Sequence, residues 1–131
     1  TARAADELLV EAIIPADPPG RVSAFHELSR RHGDFAIVGL AATATPSNGT
    51  LENVRLAFFG CEDRAKLATG ATAALMGRAV DTTVVDEAVA ALASDLEPVA
   101  NLLGTAATKR HLSSVLTRRA LIDLAGGVGY A

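Results

Sequence analysis

Cysteine is almost missing from this chain of 131 residues: Cys61 stands alone. No disulfide can form within the chain, and no group of thiols exists to hold an iron–sulfur centre or a structural zinc. A reducing, cytoplasmic setting is the expectation. Histidine is nearly as sparse. His26, His32 and His111 lie far apart and lack the His-x-x-x-His spacing that sets two imidazoles on one helical face, so no metal site is expected. Cationic charge is not in excess either: 12 Lys and Arg stand against 15 Asp and Glu, a formal charge of -3, which offers a nucleic-acid backbone no attractive field. No apolar run approaches the ~20 residues needed to cross a bilayer, and no charged-then-apolar leader opens the sequence, so neither nucleic acid nor a membrane is an expected partner. A carboxylate pair, a nucleophile elbow and a phosphate loop are also lacking. Gly126-Gly127-Val128-Gly129 follows a predicted helix, where a dinucleotide fingerprint would precede one. Catalysis by this chain alone is not expected.

What is present suits one domain spanning 1–131, since half of the residues are apolar and the length falls in the usual domain range. The chain opens at Thr1, and Asp6-Glu7 leads almost at once into an apolar run, as in a piece of a longer polypeptide. Leu8 to Ile14 reads as a first strand closed by Pro15, and Asp17-Pro18-Pro19-Gly20 as a turn. From Val22 a second strand alternates Val22, Ala24, His26 and Leu28 with Ser23, Phe25, Glu27 and Ser29. A third runs over 36–45, Pro46-Ser47-Asn48-Gly49 is a strong hairpin signal, and 51–59 is the return strand with apolar residues on both faces.

After about Arg64 the apolar period changes from two to 3.6. Short helices are predicted over about 66–76 and 83–94, the latter entered through a Thr83–Asp86 capping box, and a longer one over 106–125. On that last helix Leu112, Val115, Leu116 and Ile122 form the apolar stripe, which Leu121 and Leu124 widen, and Ser113 and Ser114 are expected as exposed polar positions. The expected fold is α+β: an antiparallel meander of about four strands with a C-terminal helical layer packed on one face.

Two features carry charge without an obvious structural need. Arg30, Arg31, His32, Gly33 and Asp34 form a compact turn between strands, able to present cations and fixed N–H groups to a ligand or simply to be solvated. Lys109-Arg110-His111 and Arg118-Arg119 are either a solvated face or a contact for an acidic partner. Cys61, flanked by Glu62 and Asp63, reads as an inert thiol.

Several pieces in order resemble the C-terminal domain of the FAD-binding (medium) subunit of molybdenum hydroxylases, the carbon monoxide dehydrogenase and xanthine dehydrogenase family. They are Asp6-Glu7-Leu8-Leu9-Val10-Glu11 leading to Ile14-Pro15, the charged segment from Phe25 to Val38, Leu56-Ala57-Phe58-Phe59-Gly60 with Arg64, and Thr108 to Leu121. The resemblance implies one wall of a flavin site, with the FAD phosphates held by an N-terminal FAD-binding domain that this chain lacks. It further implies an iron–sulfur subunit with [2Fe-2S] clusters and a large subunit with the molybdenum cofactor as partners in an oxidoreductase. It carries Leu9, His26, Arg30 and Asp34 over as cofactor-binding positions, with no catalytic residue. His26 stands where xanthine dehydrogenase-like members place a lysine, and an imidazole is not a permanent cation. A protein-interaction module without flavin is the alternative.

Overall fold

The computed structural model describes residues 3–126. Four strands, β1 (Val22–Leu28), β2 (Val38–Ser47), β3 (Thr50–Phe59) and β4 (Lys66–Leu67), form one antiparallel sheet in sequence order. Three helices follow: α1 (Thr69–Leu75), α2 (Thr82–Asp95) and α3 (Ala106–Leu124). The expected α+β meander with helices on one face is what forms, although its four strands are not the four read from the sequence. Leu8–Ile14 is not a strand: Leu8, Leu9, Val10, Ile13 and Ile14 are all strongly exposed. Apolar residues alone do not make a strand, because the backbone needs a ladder partner. The fourth strand is instead the two-residue β4, which pairs with Ala57 and Phe58. It occupies the start of the segment read as a helix over 66–76, so that α1 begins only at Thr69.

Alternation in β1 to β3 builds the core. Ala24, Val38, Leu40, Ala42, Ala44, Val54, Leu56 and Phe58 face the helices and are buried. The β2–β3 hairpin turns at Asn48 and Gly49, both at positive φ, the backbone that a two-residue turn between right-twisted strands requires. Helix α3 lies over β1 and β2, α1 lies against β3, and α2 packs on both helices. Each helix entrance is satisfied by a side chain. The Asp95 carboxylate accepts from Gly70 N and Ala71 N at 2.8 Å each, Asp81 from Val84 N at 2.8 Å, and Thr105 Oγ1 from Thr108 N at 3.1 Å. Asp81, not the predicted Thr83 capping box, therefore starts α2. Arg118 of α3 pairs with Asp86 of α2 at 2.6 Å, and Arg78 pairs with Glu87, so these cations tie the helical layer together rather than wait for a partner.

The buried stripe of α3 is rotated from the one read by hydrophobicity. Lys109, Ser113, Leu116, Thr117, Ala120, Leu121 and Leu124 are buried, so Ser113 is not an exposed polar position. Its hydroxyl donates to Lys109 O at 2.9 Å, and that of Thr117 donates to Ser113 O at 2.8 Å, which satisfies both polar groups inside the helix. Lys109, only 1% exposed, donates from Nζ to Gly60 O at 2.7 Å.

Among the described residues no helix covers the opposite face of the sheet. Phe25, 64% exposed, stacks on Phe59 with ring centroids 5.6 Å apart, and Leu67 is half exposed beside them. The Phe59 ring lies directly over Gly39: a Cβ there would fall 1.9 Å from its Cζ.

Candidate functional site: the charged turn and the open sheet face

The turn between β1 and β2 is closed by backbone bonds from Ile37 N to Leu28 O (2.7 Å) and from Asp34 N to Arg31 O (3.1 Å). Gly33 takes φ +80 with open space where a Cβ would stand, so this glycine serves the chain reversal and not a close contact. Arg30 and Arg31 each reach one oxygen of Asp34, Oδ2, at 3.7 Å, while Oδ1 accepts from Phe35 N at 3.1 Å. Those two approaches are ion pairs and too long for hydrogen bonds. Asp34 Oδ2 is buried and has no hydrogen-bond donor. Phe35, next in sequence, is almost wholly exposed.

Of the four predicted cofactor positions, Arg30 and Asp34 meet in this turn. His26 sits on β1 opposite Leu40, and therefore on the helix side of the sheet, where its Nε2 lies 2.8 Å from Asp123 Oδ2 at the end of α3. Its side chain is 25% exposed, neither core nor open surface. Leu9 is 75% exposed in the segment before β1 and is not brought to the other three. The residue that points to the open face beside the turn is Phe25, out of phase with His26. The alternation of β1 carried that signal, because Phe25 falls on the opposite face from Ala24.

Cys61 is buried at the bend after β3, 3.2 Å from Ser113 Oγ. Burial pushes its thiol above the ordinary range, against the lowering influence of the Ser113 hydrogen bond and the Lys109 charge. Inertness was expected from Glu62 and Asp63; Glu62 adds only a smaller rise. Among the described residues no three His, Cys, Asp or Glu side chains gather as a metal site, and no helix is long and apolar enough to cross a membrane.

A flavin dinucleotide fits this surface only in part. All three helix N-termini already hold side-chain oxygens, which leaves no backbone cradle for a diphosphate. The open face does offer a flat aromatic ring an apolar surface, through exposed Phe25 stacked on Phe59.

The chain is similar to the carbon monoxide dehydrogenase medium chain of Hydrogenophaga pseudoflava, 30% identical over 116 residues that make up 88% of this chain and 40% of that one. It is also similar to the 6-hydroxypseudooxynicotine dehydrogenase complex subunit alpha of Paenarthrobacter nicotinovorans, 31% identical over 88% of this chain and 39% of that one. Among solved structures, carbon monoxide dehydrogenase from Hydrogenophaga pseudoflava lacking the Mo-pyranopterin moiety of its molybdenum cofactor superposes with a TM-score of 0.80 at 32% identity, covering 87% of this chain and 39% of that chain. Quinoline 2-oxidoreductase from Pseudomonas putida 86 gives 0.75 at 29% identity, covering 86% and 39%. The chain thus spans about two fifths of the length of the relatives it matches. Residues 23–124, nearly everything from β1 to the end of α3, match the CO dehydrogenase flavoprotein C-terminal domain, and the chain belongs to that family.

Proposed function

We propose that this chain is the C-terminal domain of the FAD-binding subunit of a molybdenum hydroxylase, forming one wall of the flavin site and a contact surface for neighbouring subunits. The observation that carries this reading is the open sheet face, where exposed Phe25 stands beside a turn whose Asp34 Oδ2 lacks a donor. Membership of a flavoprotein family supports it, as do relatives described as medium chains and complex subunits. FAD, when bound, supplies the electron-transfer chemistry. The protein's part is positional and electrostatic. Phe25 offers a flat apolar wall, Asp34 accepts an N–H at the ring edge, and Arg30 and Arg31 hold positive charge beside it. Leu9 would add an apolar contact from the segment before β1. His26, tied to Asp123, is a positioning residue that orients the strand carrying Phe25.

In this setting an N-terminal FAD-binding domain anchors the dinucleotide phosphates. An iron–sulfur subunit with [2Fe-2S] clusters and a molybdenum-binding large subunit complete a cytoplasmic oxidoreductase. Alone, the chain is expected to bind FAD poorly, since none of its helix N-termini is free to cradle the diphosphate. Stoichiometric binding at micromolar FAD in a fluorescence titration would overturn that. In the complex, Asp34→Asn, Arg30→Gln and His26→Ala should each shift the flavin potential by the equivalent of about 1 kcal/mol, while the domain's own unfolding midpoint hardly moves. Unchanged potential and acceptor turnover in all three would defeat the wall assignment and favour a flavin-free interaction module.

A further inference from the structure

Away from the charged turn, the sheet, the turn before β1 and α1 border an open cavity of about 600 Å³. Its wall includes Arg21, Asn53, Arg55, Thr69 and Met76, and no carboxylate lines it. We propose that this cavity binds a small organic phosphate monoester. The proposal does not rest on the flavin reading, because none of Phe25, Arg30, Arg31 and Asp34 lines this cavity.

Three observations point to an anion. Arg21 and Arg55 enter from different elements, the approach to β1 and the middle of β3, so their guanidinium groups can close on a ligand from two sides. Arg55 makes no ion pair among the described residues, and Arg21 has only one, from Nη1 to Asp17 at 3.0 Å. Arg21 Nε is buried without an acceptor, so the hydrogen-bonding capacity of this guanidinium is not met within the chain.

The chemistry favours phosphate over carboxylate. A phosphate monoester carries up to two negative charges on three terminal oxygens, against one charge on the two oxygens of a carboxylate, so it gains more from two guanidiniums and the Thr69 hydroxyl together. The α1 N–H groups of Gly70 and Ala71 are held by Asp95, so side chains and not the helix end would perform the recognition. A second cavity of about 180 Å³ shares Val54, Arg55, Thr69 and Thr72 and adds Leu67, which gives the organic part of the ligand an apolar shelf beside the anion. The size lies within the usual range for small-molecule sites.

Titration of the chain with phenyl phosphate, followed by calorimetry and by amide chemical shifts, tests this. Saturable binding is expected, with the largest shifts at Arg21, Arg55 and Thr69. Arg55→Gln should weaken it by about tenfold or more, and benzoate should bind at least about fivefold more weakly than phenyl phosphate. Arg110→Gln, an exposed cation on α3, should change nothing. Arg21→Gln is the second variant, and both must first show the parent's unfolding midpoint; Thr69→Val replaces either that does not. No saturation by about 10 mM, equal affinity for benzoate, or a loss with Arg110→Gln as large as with Arg55→Gln would each overturn the proposal.

Discussion

Two bends lie side by side at one end of the sheet, the turn 29–37 between β1 and β2 and the bend 60–65 after β3. Each reverses the chain through a glycine at positive φ, Gly33 and Gly60. Each is rich in charge. Their anchoring differs. The bend at 60–65 is held from three directions: Lys109 Nζ binds Gly60 O, Val99 N binds Cys61 O at 2.9 Å, and Glu62 accepts from Glu97 N at 2.9 Å. A Cβ at Gly60 would lie 3.0 Å from Ile37 O, whereas one at Gly33 would meet nothing. The turn at 29–37 is closed by bonds between near neighbours in sequence, Ile37 N to Leu28 O and Asp34 N to Arg31 O, with two 3.7 Å ion pairs on Asp34, and it leaves a carboxylate oxygen without a donor. Similar residue types thus staple one bend to distant segments and close the other on its own neighbours, and the long-range partners rather than burial make the difference, since the Glu62 and Asp34 side chains are 14% and 19% exposed.

The strongest way to break this contrast is at Lys109. Lys109→Ala removes a buried side chain and orphans the Gly60 carbonyl, with an expected loss of about 3 kcal/mol in urea unfolding. Lys109→Met, which keeps the volume, should recover a large part of it. Next come the glycines. Gly60→Ala should destabilise by about 2 kcal/mol, through positive φ together with the close Ile37 oxygen, and Gly33→Ala by about 1 kcal/mol, through φ alone. Equal effects would erase the distinction between the bends.

A smaller effect follows from pH. Burial raises the Cys61 thiol above its ordinary value of 9.0, so above that pH the unfolded chain loses this proton while the folded chain keeps it. Stability should therefore fall as pH rises past about 9, and Cys61→Ser should flatten that fall. Smallest of all is Asp34→Asn, expected to change stability by under about 0.5 kcal/mol because its ion pairs are long and Arg30 and Arg31 are solvent-facing.

Much of this architecture is legible in the sequence. The alternation of β1 to β3, the Asn48-Gly49 turn and the spans of α2 and α3 follow from local periodicity and turn chemistry. Several of the misreadings depend on partners distant in sequence, and others on how a helix satisfies polar groups locally. Leu8–Ile14 has the apolar content of a strand and lacks a ladder neighbour. Lys66–Leu67 is too short to signal anything, yet β3 offers it an edge. On α3, Lys109, Ser113 and Thr117 look like solvent positions until the Gly60 carbonyl and the i-4 carbonyls that satisfy them are known. At the candidate site the charge of Arg30 and Asp34 was legible in the turn. The side of the sheet taken by His26 was also encoded, by its phase with Ala24 and Leu28, but only the helical layer reveals which side is covered.

The contact between Phe59 and Gly39 makes two positions on neighbouring strands behave as one heritable unit. Any side chain at 39 must displace the ring at 59, and any smaller residue at 59 uncovers backbone at 39 and removes the aromatic against which Phe25 stacks. Sequence drift at either site is then tolerated mainly in the company of the other. A library randomised at both positions should return Gly39 with an aromatic at 59, or a larger residue at 39 with a small one at 59, and few mixtures of the two solutions.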